Sequence, residues 1–340
     1  MSFKTLRTKS FGYAFLITLS CSLLGSFLGS LPYLSVIGAL VLALILGMVF
    51  QVWPAAVQAS KAGNGLIANK FLRLGIILLG FKLNLIELAQ AGVKTIVVAL
   101  IIVTGTISLT YWLARKFGVS RQLAILAASG TGICGAAAVM GISPQIPAAD
   151  GDEAQKHDDE VLAVAIVAIL GTVFTLIELG LRPLLQMTPT QFGVMAGGSL
   201  HEIAHAVATG GANGPVSLNT AIIMKLSRVL LLAPAALIIG IWYQRQSSRT
   251  NASSRKLPIP WFMLGFILAS VAGTFLPLSS AVLAGLVKLA YLVLGMAMAA
   301  LGISVNFKVF WRSGRKAVLA CLTGSVCLLA FTILVSKLFF

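Results

Sequence analysis

Residues 161–181 read VLAVAIVAILGTVFTLIELGL, twenty-one positions with one charged side chain, Glu178. At about 1.5 Å per residue, a helix of this length crosses roughly 30 Å, the thickness of a bilayer's hydrocarbon. Every peptide group inside hydrocarbon needs a partner within the protein, so such a run is either a helix or a barrel strand. Barrel strands alternate polar and apolar residues over about ten positions. This run does not alternate, and runs like it recur along the 340-residue chain. The expected fold is therefore an all-α polytopic membrane protein of about eleven transmembrane helices. They are placed at roughly 11–31, 33–53, 66–88, 93–114, 120–142, 160–181, 192–210, 217–243, 259–277, 282–305 and 316–338. The whole chain, 1–340, reads as one transmembrane transporter domain without a separate soluble domain.

Composition agrees. Hydrophobic residues make up 58% of the chain, charged residues 10%, and the mean hydropathy is +0.99. A soluble domain carries about 25% charged residues, so this chain cannot cover a water-facing surface. The net charge of +16 is not a nucleic-acid footprint, because the basic residues cluster between the apolar runs. Cys21, Cys134, Cys321 and Cys327 fall inside those runs and read as small apolar residues. The first run follows Lys4, Arg7 and Lys9 like a signal peptide, but a second span begins at once, so it reads as a retained helix.

The basic residues orient the chain. With the N-terminus inside, cytoplasmic segments hold Lys4, Arg7, Lys9, Lys61, Lys70, Arg73, Arg115, Lys116, Arg121, Arg182, Arg245, Arg249, Arg255, Lys256, Lys308, Arg312, Arg315 and Lys316, which is 18 of the 25. Lys94, Lys156 and Lys337 fall outside. This positive-inside bias predicts a bacterial inner-membrane protein with a cytoplasmic N-terminus and a periplasmic C-terminus. The acidic stretch DGDEAQKHDDE (150–160) is then an external loop. Lys82, Lys225, Arg228 and Lys288 lie within spans and are not explained by the rule.

Residues 79–94 (LGFKLNLIELAQAGVK) match 301–316 (LGISVNFKVFWRSGRK) at Leu79/Leu301, Gly80/Gly302, Asn84/Asn306, Gly92/Gly314 and Lys94/Lys316. The two segments run in opposite directions in this topology, as inverted repeats do in secondary transporters. The halves would be about 33–181 and 192–338. Asn84, Ser304 and Asn306 could line a site or cap the ends of their spans.

Three further segments carry chemistry. Ser129–Ala138 (SGTGICGAAA) puts Gly130, Gly132 and Gly135 in mid-span, each costing a helix about 1 kcal/mol. Unwinding there would present Gly130, Thr131, Gly132, Cys134 and Gly135 to a substrate; a small-residue packing face is the other reading. His201, Glu202 and His205 (HEIAH) have the letters of a zinc-protease helix, although a third ligand is scarce. They also fit a proton- or ion-coupling cluster, or a structural hydrogen-bonding one. Lys225 and Arg228, three residues apart deep in a span, share one helical face and leave an excess of buried positive charge, which fits an anion.

GTGICGAAA (130–138), HEIAHAVATG (201–210) and KLSR (225–228), in that order, resemble the sulfate-exporter family of bacterial inner-membrane proteins. That family is grouped with the cation/proton antiporter and anion transporter superfamily. The resemblance covers nearly the whole chain. It implies an inverted-repeat fold with discontinuous helices crossing near the midplane, and sulfate as a candidate substrate.

The resulting expectation is a secondary transporter, not an enzyme, for a small anion such as sulfate, sulfite, or an organic sulfonate or carboxylate. Its partners would be that anion and the lipid bilayer, with no nucleic acid and no cofactor. It would be driven by protons, sodium or the substrate's own gradient, with alternating access moving one helix bundle against the other. A homodimer is compatible with the sequence. The alternative is an intramembrane zinc metalloprotease built on HEIAH.

Overall fold

The computed structural model describes residues 9–31, 34, 38–90, 92–148, 153–247, 261–304 and 314–340. All regular structure among them is helical. Among the described residues, seven helices or continuous helical runs are long and apolar enough to cross a membrane: Ser10–Gly29, Pro54–Lys82, Gly92–Lys116, Glu153–Leu185, Pro215–Tyr243, Ser280–Ile303 and Arg315–Phe339. Ala39–Phe50 and Leu264–Phe275 are shorter apolar helices. The two remaining segments, 120–142 and 192–210, are interrupted.

The chain divides into unit 1 (Met1–Leu88 with Leu264–Val305) and unit 2 (Ala89–Met263 with Asn306–Phe340). Unit 1 contains α1 (Lys9–Gly29), α2 (Ala39–Phe50), α3 (Pro54–Leu66), α4 (Leu72–Leu79) and most of α5 (Leu85–Gln90), together with most of α14 (Trp261–Phe275) and all of α15 (Ser280–Ile303). Small residues bring α2 and α15 together: a Cβ on Gly47 or Gly302 would lie 2.2 Å from a carbonyl oxygen of the facing helix. Between membrane helices, where there is no hydrophobic driving force, such close backbone approach supplies the packing.

Unit 2 contains α6 (Gly92–Lys116), α7 (Arg121–Gly132), α8 (Ala136–Ile142), α9 (Glu153–Leu185), α10 (Pro189–Ser199), α11 (Ile203–Gly211), α12 (Pro215–Leu230), α13 (Leu232–Ser247) and α16 (Arg315–Phe339). Segment 120–142 is a hairpin. At its start, Ser120 Oγ caps α7 through the Leu123 N–H and donates to Asp159 of α9 at 3.2 Å. At its end, Ser143 Oγ donates to Glu160, the next residue of α9. The Arg121 guanidinium stacks on Trp242 and Tyr243, 4.8 and 4.3 Å from the ring centroids, and Gln145 packs on Gly240 one turn away. A straight helix over 121–145 would hold these ends roughly 36 Å apart.

Segment 189–211 is a second hairpin. Gly193 and Gly210, from its two arms, both rest on α12 around Ser217 and Ala221. The Arg182 Nε donates to Asn213 Oδ1 at 3.0 Å, just past the second arm. The first arm begins at Thr188, three residues beyond the end of α9, with a capping box to Gln191. The long α9 joins the two hairpins, so they enter from opposite faces. Their breaks superimpose at a constant sequence offset of 67: α7 ends at Gly132 and α10 at Ser199, α8 begins at Ala136 and α11 at Ile203.

The hairpins form the core of unit 2. Every residue of Gln122–Gly132 and of Phe192–Ser199 is buried. Large apolar side chains instead face outward on the surrounding helices, among them Trp112, Leu176, Ile238 and Leu334. The hairpin at 120–142 also revises one expectation. Glu153–Glu160 is the first part of α9, not a loop, and shares a face with Lys116 and Arg121 instead of lying opposite them. Arg182 takes the opposite face. Residues 150–152 lie outside the described residues.

The hairpin predicts sidedness. In a cysteine-free background, Lys116→Cys and Ala154→Cys are expected to react with a membrane-impermeant maleimide from the same side. Reaction from opposite sides would mean that 120–142 crosses the membrane.

Candidate functional site

The two hairpin tips meet in unit 2 on a pair of buried cations from α12. A helix end leaves carbonyls without partners, and it carries the negative end of the helix dipole. Arg228 takes up these groups from both half-helices. Its Nε donates to Gly132 O at 3.2 Å; Nη2 donates to Thr131 O (3.2 Å) and Gly132 O (2.8 Å) at the end of α7. Nη1 donates to Gly198 O (2.7 Å), Leu200 O (3.0 Å) and Gly197 O (3.3 Å) at the end of α10. The planar guanidinium suits this task because its donors point outward in a fixed fork. Lys225 lies one turn earlier, and its Nζ donates to Ile133 O (2.9 Å) and Leu200 O (2.6 Å), residues equivalent at the offset of 67. Both cations are fully buried, and among the described residues neither has a carboxylate within 4.0 Å.

The glycine-rich stretch is where the first helix breaks. Gly135 adopts φ +69°, in the left-handed region that favours glycine. Its N–H donates to Gly130 O at 2.9 Å and closes the end of α7. A Cβ there would lie 2.7 Å from Glu202 Cγ, so glycine also permits the contact between tips. Cys134 is buried in the break, and Thr131 uses its hydroxyl on Ala127 O within α7.

HEIAH is not one helix. His201 and Glu202 precede α11, which starts at Ile203, so His201 and His205 do not share a helical face as the protease reading requires. The His201 Nε2 lies 3.0 Å from Ser325 Oγ of α16, with its ring edge-on to Phe174 at 6.1 Å. The His205 Nε2 is 3.4 Å from Thr172 Oγ1, and the ring packs on Gly171. Among the described residues no three or more His, Cys, Asp or Glu side chains gather as a metal site. The Glu202 carboxyl reaches the Ala136 N–H at the start of α8. Among the described residues, its Oε2 and the His201 Nδ1 are buried without a hydrogen-bond partner.

Thus Gly130, Thr131, Gly132, Cys134, Gly135, His201, Glu202, Lys225 and Arg228 converge at the tips, and His205 lies in the first turn of α11. Asn84 and Ser304 belong to unit 1 and make local bonds: Asn84 Oδ1 accepts from Ile86 N at 2.9 Å, and Ser304 Oγ donates to Ala300 O at 3.0 Å. Asn306 lies outside the described residues. Lys82 Nζ is 3.4 Å from Tyr291 OH. Sequence reasoning missed the backbone carbonyls as partners of the cations. It also missed Ser199, whose hydroxyl meets Glu178; only the small residues before HEIAH hinted at a close approach there.

The fold and this site define a polytopic α-helical membrane protein with two opposed re-entrant hairpins. The family described as Conserved hypothetical protein 698 matches residues 13–321, and the chain belongs to it. The UPF0324 membrane protein of Lactobacillus johnsonii is 59% identical over 340 residues, covering 98% of both chains. UPF0324 membrane protein BL1094 of Bifidobacterium longum is 51% identical over 334 residues, 95% of this chain and 94% of that one. A UPF0324 membrane protein of Bacillus cereus is 42% identical over 325 residues, again 95% and 94%.

Removing Arg228 would leave several buried carbonyls unpaired, at about 1–3 kcal/mol for each orphaned group. Arg228→Met is therefore expected to melt well below the parent in detergent, by on the order of 3 kcal/mol or more. Lys225→Met, with two such bonds, should lose less. Equal, small losses would show that the fork does not hold the tips.

Proposed function

We propose that the protein is a secondary transporter for a small anion, not an enzyme. The observation that carries this reading is the excess positive charge at the hairpin junction. Lys225 and Arg228 are fully buried, answered by carbonyl dipoles instead of carboxylates. Ionisable groups at membrane depth are costly and are kept for function. Discontinuous half-helices meeting inside a membrane domain are how transporters hold substrates and coupling ions.

The geometry divides the labour. The N–H groups of Arg228 are directed at the tips, so its role is to hold them. Lys225 has three donors, two of them used on carbonyls, and offers the third to a ligand. Glu202 and His201, each with one buried atom unpartnered among the described residues, are the groups that would take up or release protons beside it. Sulfate, sulfite, an organic sulfonate or a carboxylate fits one ammonium and a small-residue junction. The positive-inside bias supports an inner-membrane location with a cytoplasmic N-terminus and an external C-terminus.

A bound anion should stabilise the folded protein, by about 2.7 kcal/mol at 100 times its Kd. Across a panel of sulfate, sulfite, alkylsulfonates and dicarboxylates, at least one is expected to raise the melting temperature of the purified protein. Lys225→Met should abolish that shift while remaining folded. A panel without any shift, or a shift that survives in Lys225→Met, contradicts the anion site.

A further inference from the structure

We infer that Glu178 of α9 and Ser199, the last residue of α10, form a proton-binding site whose occupancy is tied to the α10–α11 hairpin. The argument is a count of hydrogens. The Ser199 Oγ lies 2.6 Å from Met195 O and 2.5 Å from Glu178 Oε1. A hydroxyl has one hydrogen, a carbonyl has none to give, and a carboxylate only accepts. If Glu178 is ionised, one of the two short contacts must set lone pairs against lone pairs. Both are satisfied when Glu178 is a carboxylic acid donating to Ser199 Oγ and Ser199 donates to Met195 O.

The surroundings agree. Glu178 is completely buried, and among the described residues its Oε2 has no hydrogen-bond partner. A carboxylate there would be desolvated, with no cation within 4.0 Å among the described residues. The charged groups whose field reaches it are Arg228 and Lys225 of α12, and both direct their N–H groups at the tip carbonyls. Just before α11, the His201 ring sits edge-on to Phe174, one turn from Glu178, and its Nε2 is engaged with Ser325 of α16.

Release of the proton to water leaves a carboxylate that needs a donor, and Ser199 is the donor in place. Its hydroxyl then turns from Met195 O to Glu178, which takes one hydrogen bond from a carbonyl one turn before the end of α10. That end presents Gly197, Gly198 and Leu200 to the two cations. Protonation of Glu178 and the seating of the tip therefore act on one helix end. The protonation half of this inference stands by itself; its coupling half rests on the transporter reading.

Infrared difference spectra at neutral pH, between the parent protein and Glu178→Gln, test the first half. The glutamine keeps the shape and a donor, so the variant should fold. One protonated-carboxyl C=O band is expected in the parent and missing in the variant; identical spectra in that region overturn the site. Proteoliposomes test the second half. Glu178→Gln is expected to retain anion exchange at zero pH gradient and to lose pH-gradient-driven uptake at least tenfold. Gradient-driven uptake at the parental rate overturns the coupling. If the parent moves no anion at all, the transporter reading fails and the coupling half with it, while the infrared result still decides the proton site.

Discussion

Each half-helix that stops inside a membrane domain leaves backbone groups that lipid cannot satisfy. Unit 2 buries two such C-terminal ends, at Gly132 and Ser199, and the rest of its architecture follows from satisfying them. A single guanidinium reaches carbonyls of both tips, and the ammonium one turn away reaches the residue just past each helix end. Both cations come from α12, so the two hairpins share a fixed point. The same contacts explain how two cations can sit fully buried without a carboxylate partner among the described residues. The negative ends of two helix dipoles converge on them.

Small side chains make this convergence sterically possible. Gly193 and Gly197 let α10 lie on the backbone of α12, and Gly135 lets one tip touch Glu202 of the other. The outer helices reverse the soluble pattern, with bulky apolar residues facing outward and glycine, serine, histidine and charge inside. A bilayer rewards this arrangement, because a lipid tail is as good a neighbour for leucine as another leucine is.

Much of the fold was legible in the sequence. Apolar runs such as 161–181 gave helices, and the three glycines of 130–135 marked a break. The direction of the chain after that break was not legible, for a physical reason. The two hairpins turn back from opposite faces, so only α9 is reversed relative to eleven simple crossings. That reversal exchanges Lys156 for Arg182 and leaves the charge partition unchanged. The repeat at offset 67 was also hidden. GTGICGAAA and GGSLHEIAH share only Gly130/Gly197 and Ala137/Ala204, because what repeats is a helix end and its carbonyls, which side chains do not encode. The cations were found as buried charges, but their partners are backbone and leave no signature in the sequence.

At the site, the sequence picked out residues of three segments that the structure brings together, and it left their chemistry open. HEIAH looked like a metal helix until the break before Ile203 separated its first histidine from its second. Glu178 was only the one charge in 161–181 until the structure set Ser199 against it. The most direct test of the account is flux of labelled sulfate, sulfite, alkylsulfonate and dicarboxylate into proteoliposomes carrying the monodisperse parent protein. Saturable uptake of at least one of them, above protein-free vesicles, is the expected result. Uptake no faster than in protein-free vesicles for every anion would contradict an anion transporter.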